Sequence, residues 1–187
     1  MAVTTLDPHT ALIVVDLQKG LAGAPFMHPF DAVVANSVAL IEAFRARGLP
    51  VVLVNVSGTA PGRTERPRPS LPQGEDWTDL LPELNRQPGD VVVTKTTWGA
   101  FASTDLETRL KSRGVTQVVV TGVATGTGVE STARQAYELG FNVTLAIDAM
   151  SDVRPEAHDY SIAHVFPRLG ETGTTQAILL LLPARTS

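Results

Sequence analysis

Three stretches of this chain end an apolar run in groups able to do chemistry. Ala11 to Val15 leads into the carboxylate of Asp16, Val91 to Thr94 leads into the ammonium of Lys95, and Val118 to Thr121 leads into a glycine-rich turn, Gly122 to Gly128, followed by Val129 and Glu130. A carboxyl just past a buried strand is partly desolvated, which raises its pKa, whereas a nearby cation lowers it. A buried ammonium in turn requires a paired anion. Asp16 and Lys95 arriving at one edge would therefore form an acid–base pair. A glycine turn that opens a helix directs free N–H groups at its surroundings, where they can bind an oxyanion or a carboxylate. Each element also has a plain structural role: a turn cap for Asp16, a solvated end charge for Lys95, packing alone for the glycines. Gly122, Gly126 and Gly128 do not give the G-x-G-x-x-G spacing, which argues against a dinucleotide site.

The elements that must position these groups follow from the apolar pattern. Runs at Ala11 to Val15, Pro50 to Val56, Val91 to Thr94, Val118 to Thr121 and Asn142 to Ile147 are apolar throughout rather than alternating. Strands covered on both faces look like this, and helical segments between them indicate an α/β fold with a parallel sheet. Helices are expected over Ala32 to Arg47, Thr104 to Arg113 and Gly128 to Leu139. In the first, Val33, Val34, Ser37, Leu40, Ile41 and Phe44 fall on one stripe. Thr104 and Glu107 have capping-box spacing, and Gly48, Gly114 and Gly140 mark helix ends. Ser57 to Asp76, rich in proline and glycine, is a long loop placed to overhang the site. Ligands in open parallel sheets collect beyond the carboxyl ends of the strands, where Asp16, Lys95 and the glycine turn are expected.

The bulk properties narrow the classes. A chain of 187 residues with 43% apolar and 18% charged residues is expected to form one globular domain, residues 1–187. A net charge of −4 and a pI near 5.5 argue against a nucleic-acid partner. With no cysteine there is no disulfide, thiolate metal site or catalytic thiol. Residues 1–8 have no signal-peptide pattern, and the apolar tract Ala177 to Leu182 is far shorter than the roughly 20 residues a membrane helix needs, so a cytoplasmic protein with no membrane partner is expected. His9, His28, His158 and His164 show no metal-ligand spacing, and no metal or cofactor is expected. His158 and His164 read as surface or interface residues.

Ala11 to Gln18, Lys95 to Glu107 and Val120 to Ala136 together resemble the isochorismatase-like hydrolases, the family that includes nicotinamidases and N-carbamoyl amidases. The resemblance runs from Ala11 to about Asp152. It implies a three-layer α/β/α fold around a mostly parallel, six-stranded, Rossmann-like sheet, a habit of homo-oligomers, and a cis peptide at Val123–Ala124. It also implies an Asp–Lys–Cys site in which Asp16 and Lys95 match the first two members and Gly128 occupies the place of the cysteine. No thioester can form at a glycine.

The resemblance accommodates that departure, because isochorismatases are also glycine-substituted there and cleave a vinyl ether without a covalent intermediate. In that chemistry Asp16 is the general acid. Three classes fit the residues: vinyl-ether hydrolysis of an isochorismate-type small molecule, hydrolysis of a C–N bond by directly activated water, or non-catalytic binding in a retained pocket. The flanks of Gly128 resemble amidase members more than isochorismatases. Substrate contacts are expected from Gln18, Trp98, Phe101, Val123, Ala124 and Thr127, with Gln18 also orienting Asp16. Trp77 is a further aromatic, and Arg63, Arg66 and Arg68 in the long loop are candidate carboxylate clamps.

Overall fold

The computed structural model describes residues 3–66, 74 and 76–182. Six strands and five helices follow in chain order: β1 Thr10–Val15, α1 Phe30–Ala46, β2 Val51–Val56, β3 Val91–Lys95, α2 Leu106–Lys111, β4 Gln117–Val123, α3 Glu130–Glu138, β5 Asn142–Ser151, α4 Pro155–Tyr160, β6 Glu171–Gly173 and α5 Thr175–Leu181. The sheet order is β3-β2-β1-β4-β5-β6, and every pairing is parallel rather than mostly so. The chain builds outward from β1 to β3, then returns to lay β4 against the other side of β1. This reversal opens a crevice at the carboxyl ends of β1 and β4, the position where ligands enter such sheets.

Successive residues of a strand face opposite sides, so each apolar run feeds two cores. Ala11, Ile13 and Val15 pack with Val118, Val120 and the α2 and α3 residues Leu106, Leu110 and Ala133. Leu12 and Val14 pack on the other face with Leu40, Ile41 and Phe44 of α1 and Ile178 of α5. All six stripe residues of α1 are buried, Ser37 included, whose hydroxyl donates to Thr121 Oγ1 at 3.3 Å. Burying each large apolar member contributes roughly 1.5–3 kcal/mol, which fixes α1 across the sheet.

Three local expectations are revised. The helix foreseen from Thr104 begins at Leu106; Leu106 N donates to Thr104 Oγ1 at 3.2 Å, while Glu107 pairs with Lys111 instead of closing a capping box. The third helix is preceded by a wide π turn over Thr125–Val129. The short strand β6 has no apolar run to announce it, and the late apolar tract is α5. No described helix is long and apolar enough to cross a membrane.

Candidate active site

Asp16 follows the last residue of β1 and leaves the sheet with φ +55°, a left-handed conformation that aspartate tolerates better than most residues. Its N–H still donates to Val54 O at 2.9 Å, so the turn is anchored to β2 while the side chain swings over the sheet end. Asp16 is 5% exposed. Its Oδ2 accepts a hydrogen bond from Lys95 Nζ at 2.7 Å, and Oδ1 has no hydrogen-bond partner among the described residues. Burial pushes the carboxyl from its ordinary 3.8 up to about 6, against the opposing charge and hydrogen bond of Lys95. Desolvation wins. A fraction of the carboxyl is therefore protonated near neutral pH, the form a general acid needs.

Lys95 is the final residue of β3, in register with Val56 of β2. The strand β2 lies between β3 and β1, so two interstrand spacings of about 4.8 Å separate the backbones that carry the pair. The lysine stem spans that gap across the end of β2. The residue is 1% exposed, and Nζ also donates to Thr97 O at 3.2 Å.

Position 128 completes the corner. Gly122 has φ +109°, and a Cβ there would sit 2.0 Å from Val15 O, so only glycine lets β4 pass β1 this closely. The peptide Val123–Ala124 is cis, and the π turn then carries the chain to α3. A Cβ on Gly128 would lie 3.2 Å from Asp16 Oδ2, 3.1 Å from Val15 Cγ1 and 2.9 Å from Val123 O. The side-chain direction of residue 128 thus points at the Asp16–Lys95 pair. Glycine brings no side chain, and so no nucleophile, to this closely packed corner.

Two residues that the sequence reading did not assign to the site hold the turn in place. Asp152, directly after β5 and 1% exposed, accepts Gly126 N at 2.8 Å on Oδ2 and Arg154 N at 3.0 Å on Oδ1. Its position just past an apolar strand is the same signal that singled out Asp16. His158, which reads from the sequence as a surface or interface residue, is 4% exposed, and its Nδ1 shares a 2.8 Å hydrogen bond with Thr125 Oγ1. Burial first, then the neighbouring His28 ring 4.8 Å away, lowers its pKa, so the imidazole is neutral at neutral pH.

The expected substrate contacts separate. Val123 is fully buried at the turn, and Ala124 and Thr127 are half-buried beside it. Gln18 is fully buried, and its amide is engaged elsewhere: Nε2 donates to Val56 O and Trp77 O, and Oε1 accepts Val56 N. It is a strut between the ends of β1 and β2 and does not bond the Asp16 carboxylate. Phe101 sits in the core, stacked on Phe141 with centroids 6.0 Å apart, and its N–H donates to Gln135 Oε1 of α3 at 2.9 Å. Trp98 is 64% exposed. The Trp77 ring covers Gly20, where a Cβ would meet it at 2.2 Å. Arg63 and Arg66 are exposed, and Arg68 lies outside the described residues. Among the described residues no group of three or more His, Cys, Asp or Glu is placed to hold a metal ion.

Comparison with known proteins bears on this geometry. The isochorismatase domain family matches residues 10–177. The isochorismatase family protein YecD of Escherichia coli O157:H7 is 41% identical over 179 residues, covering 91% of this chain and 94% of YecD. The ureidoacrylate amidohydrolase RutB of Pseudomonas syringae pv. syringae (strain B728a) is 34% identical over 178 residues, covering 79% of this chain and 72% of RutB. The solved structure of an isochorismatase family protein from Burkholderia thailandensis matches with a TM-score of 0.91 at 42% identity, covering 95% of this chain and 97% of that one. The fold, the strand order and these matches along nearly the whole length agree: this chain belongs to the isochorismatase family of hydrolases.

Proposed function

We propose that this hydrolase works without a covalent intermediate, with Asp16 as general acid and water as the nucleophile, on an enol-ether substrate of the isochorismate type. The observation that carries the reading is that Gly128, whose side-chain direction meets Asp16 Oδ2 at 3.2 Å, brings no nucleophile to a carboxyl whose pKa burial raises to about 6. Protonated Asp16 gives its proton to the terminal vinyl carbon. The C=C electron pair forms the new C–H bond, and the adjacent carbon becomes an oxocarbenium ion. Water adds to that carbon and its proton returns to the Asp16 carboxylate; the resulting hemiketal then collapses, its hydroxyl oxygen forming the new C=O as the C–O bond to the ring breaks and its hydroxyl proton passing to the departing oxygen, which releases an alcohol and pyruvate. Lys95 holds the carboxylate left behind by the first transfer. General acid catalysis of this kind contributes roughly 10²–10⁴-fold.

A second reading is hydrolysis of a C–N bond, favoured by the 34% identity to an amidohydrolase. Here ionised Asp16 takes a proton from water as it adds to the carbonyl; the tetrahedral adduct then breaks its C–N bond, Asp16 returns the proton to the departing nitrogen, and no acyl-enzyme forms. Incubation with isochorismate and with a panel of ureido and primary amides, following pyruvate and ammonia, separates the two. Pyruvate release is the expected result. Ammonia release alone replaces the first reading with the second, and saturable binding without product overturns both.

A further inference from the structure

The two sides of the active site begin far apart. Lys95 ends β3 and the turn bearing Gly128 follows β4, with β2 and β1 between those strands. The chain after Lys95 is a segment with its own hydrogen bonds. Ser103 Oγ accepts Thr96 N at 3.1 Å and shares a 3.0 Å bond with Thr97 Oγ1, and Thr104 Oγ1 donates to Ala100 O at 2.6 Å. Thr97 O, inside this segment, is the second acceptor of Lys95 Nζ.

The segment docks on α3. Ala100 N donates to Thr132 Oγ1 at 3.1 Å, and Phe101 N and Ala102 N donate to Gln135 Oε1 at 2.9 and 3.3 Å. Thr132 and Gln135 are three residues apart on a helix and so share one of its faces.

Thr132 makes a further bond through the same atom. Its hydroxyl donates to Gly128 O at 2.7 Å. A helical threonine commonly bonds the carbonyl four residues back, and that bond alone would say nothing about the site. The bond from Ala100 N reaches across 32 residues of sequence. A hydroxyl has one proton to give. Given to Gly128 O, it leaves the oxygen as the acceptor for Ala100 N, so both roles of the group are used. Thr132 is fully buried, where an N–H left without an acceptor is costly.

We infer that Thr132 is a positioning residue of the active site: its one hydroxyl ties the segment that braces Lys95 to the carbonyl of Gly128, and so sets Lys95 against Asp16. The effect runs through Thr97 O and Lys95 Nζ to Asp16 Oδ2. Among the described residues Lys95 is the charged group that acts on this carboxyl, by its charge and its hydrogen bond. A displaced ammonium therefore lets Asp16 keep its proton to higher pH. The consequence for turnover rests on the reading of Asp16 as the acid; the placement of Lys95 does not.

Carboxyl-carbon NMR of the full chain, titrated without substrate and with the Asp16 signal assigned by its loss in Asp16→Asn, tests the inference. Thr132→Val keeps the shape of the side chain and removes both bonds; Thr132→Ser keeps the hydroxyl. In Thr132→Val the Asp16 midpoint should rise by about 0.5 pH unit, part of what an adjacent cation is worth. Thr132→Ser should titrate as the parent does. If Thr132→Val does not fold, Gln135→Ala loosens the same segment from a half-buried position and should show the same upward shift. With isochorismate, Thr132→Val should lose about tenfold in kcat with KM little changed, and Thr132→Ser should keep parental turnover. If isochorismate is not hydrolysed, the enol-ether reading fails and the titration still decides the role of Thr132. A parental or lowered Asp16 midpoint in a folded Thr132→Val, even one that melts lower, overturns the inference, as does a Thr132→Ser variant that titrates like Thr132→Val.

Discussion

The side-chain direction of Gly128 meets Asp16 Oδ2 at 3.2 Å, although the two residues belong to different strand ends. This relationship makes residue 128 part of the surroundings of the Asp16 carboxyl.

Asp16→Asn should lower kcat by about 10²–10⁴-fold, the usual worth of a general acid. The amide carries no charge and avoids the desolvation that opposes the ionised carboxylate, so the variant should melt no lower than the parent at pH 7. Turnover equal to the parent would remove Asp16 from the mechanism. A large drop in melting temperature would show that the ion pair stabilises the fold more than burial opposes it.

The folded carboxyl binds its proton more tightly, with a pKa of about 6, than the unfolded chain near 3.8. Its contribution to stability is fully present below pH 4 and is lost as pH rises through 6, a change of about 3 kcal/mol. Melts of the parent measured relative to Asp16→Asn between pH 4 and 7 should show that decline. If protonated Asp16 is the acid, kcat falls above about pH 6 with the loss of one proton. Lys95→Met removes both influences that lower the Asp16 pKa, so the falling limb should move to higher pH. A limb that stays put would uncouple Lys95 from the acid.

Gly128→Cys brings a Cβ to 2.9 Å from Val123 O and 3.1 Å from Val15 Cγ1, so the turn must shift slightly. A cost of about 1–3 kcal/mol is expected from such overpacking. The new thiol faces Asp16 and should react with iodoacetamide in the folded protein, with weak amide or ester hydrolysis appearing. A thiol that labels only after unfolding would place residue 128 outside the site.

Asp152→Ala deprives Gly126 N of its acceptor in a half-buried turn, at about 1–3 kcal/mol. The turn that sets Gly128 against Asp16 then loosens, and kcat should fall more than the stability loss alone predicts. Asp152→Asn keeps an acceptor oxygen and should restore most of both. Equal damage from Ala and Asn would assign the effect to charge instead of to the Gly126 bond.

Local sequence carried the strands, the buried stripe of α1 and the termini bearing Asp16, Lys95 and the glycine turn, because period and strand burial are short-range properties. It also showed that position 128 has no nucleophile. It did not show β6, whose Glu171–Gly173 segment owes its strand to pairing with Thr144–Ala146 and not to its own apolar content. Nor did it separate Trp98 from Phe101, since exposure depends on how the segment after β3 packs against α3, where Phe101 N donates to Gln135 Oε1. Only the tertiary fold decided that Lys95 reaches Asp16 across β2, that the two are buried deeply enough for desolvation to outweigh their attraction, and that Gln18 and His158 act as struts. Residue type fixes which protons and charges a chain can offer. The balance between losing water and gaining a partner exists only once distant segments meet.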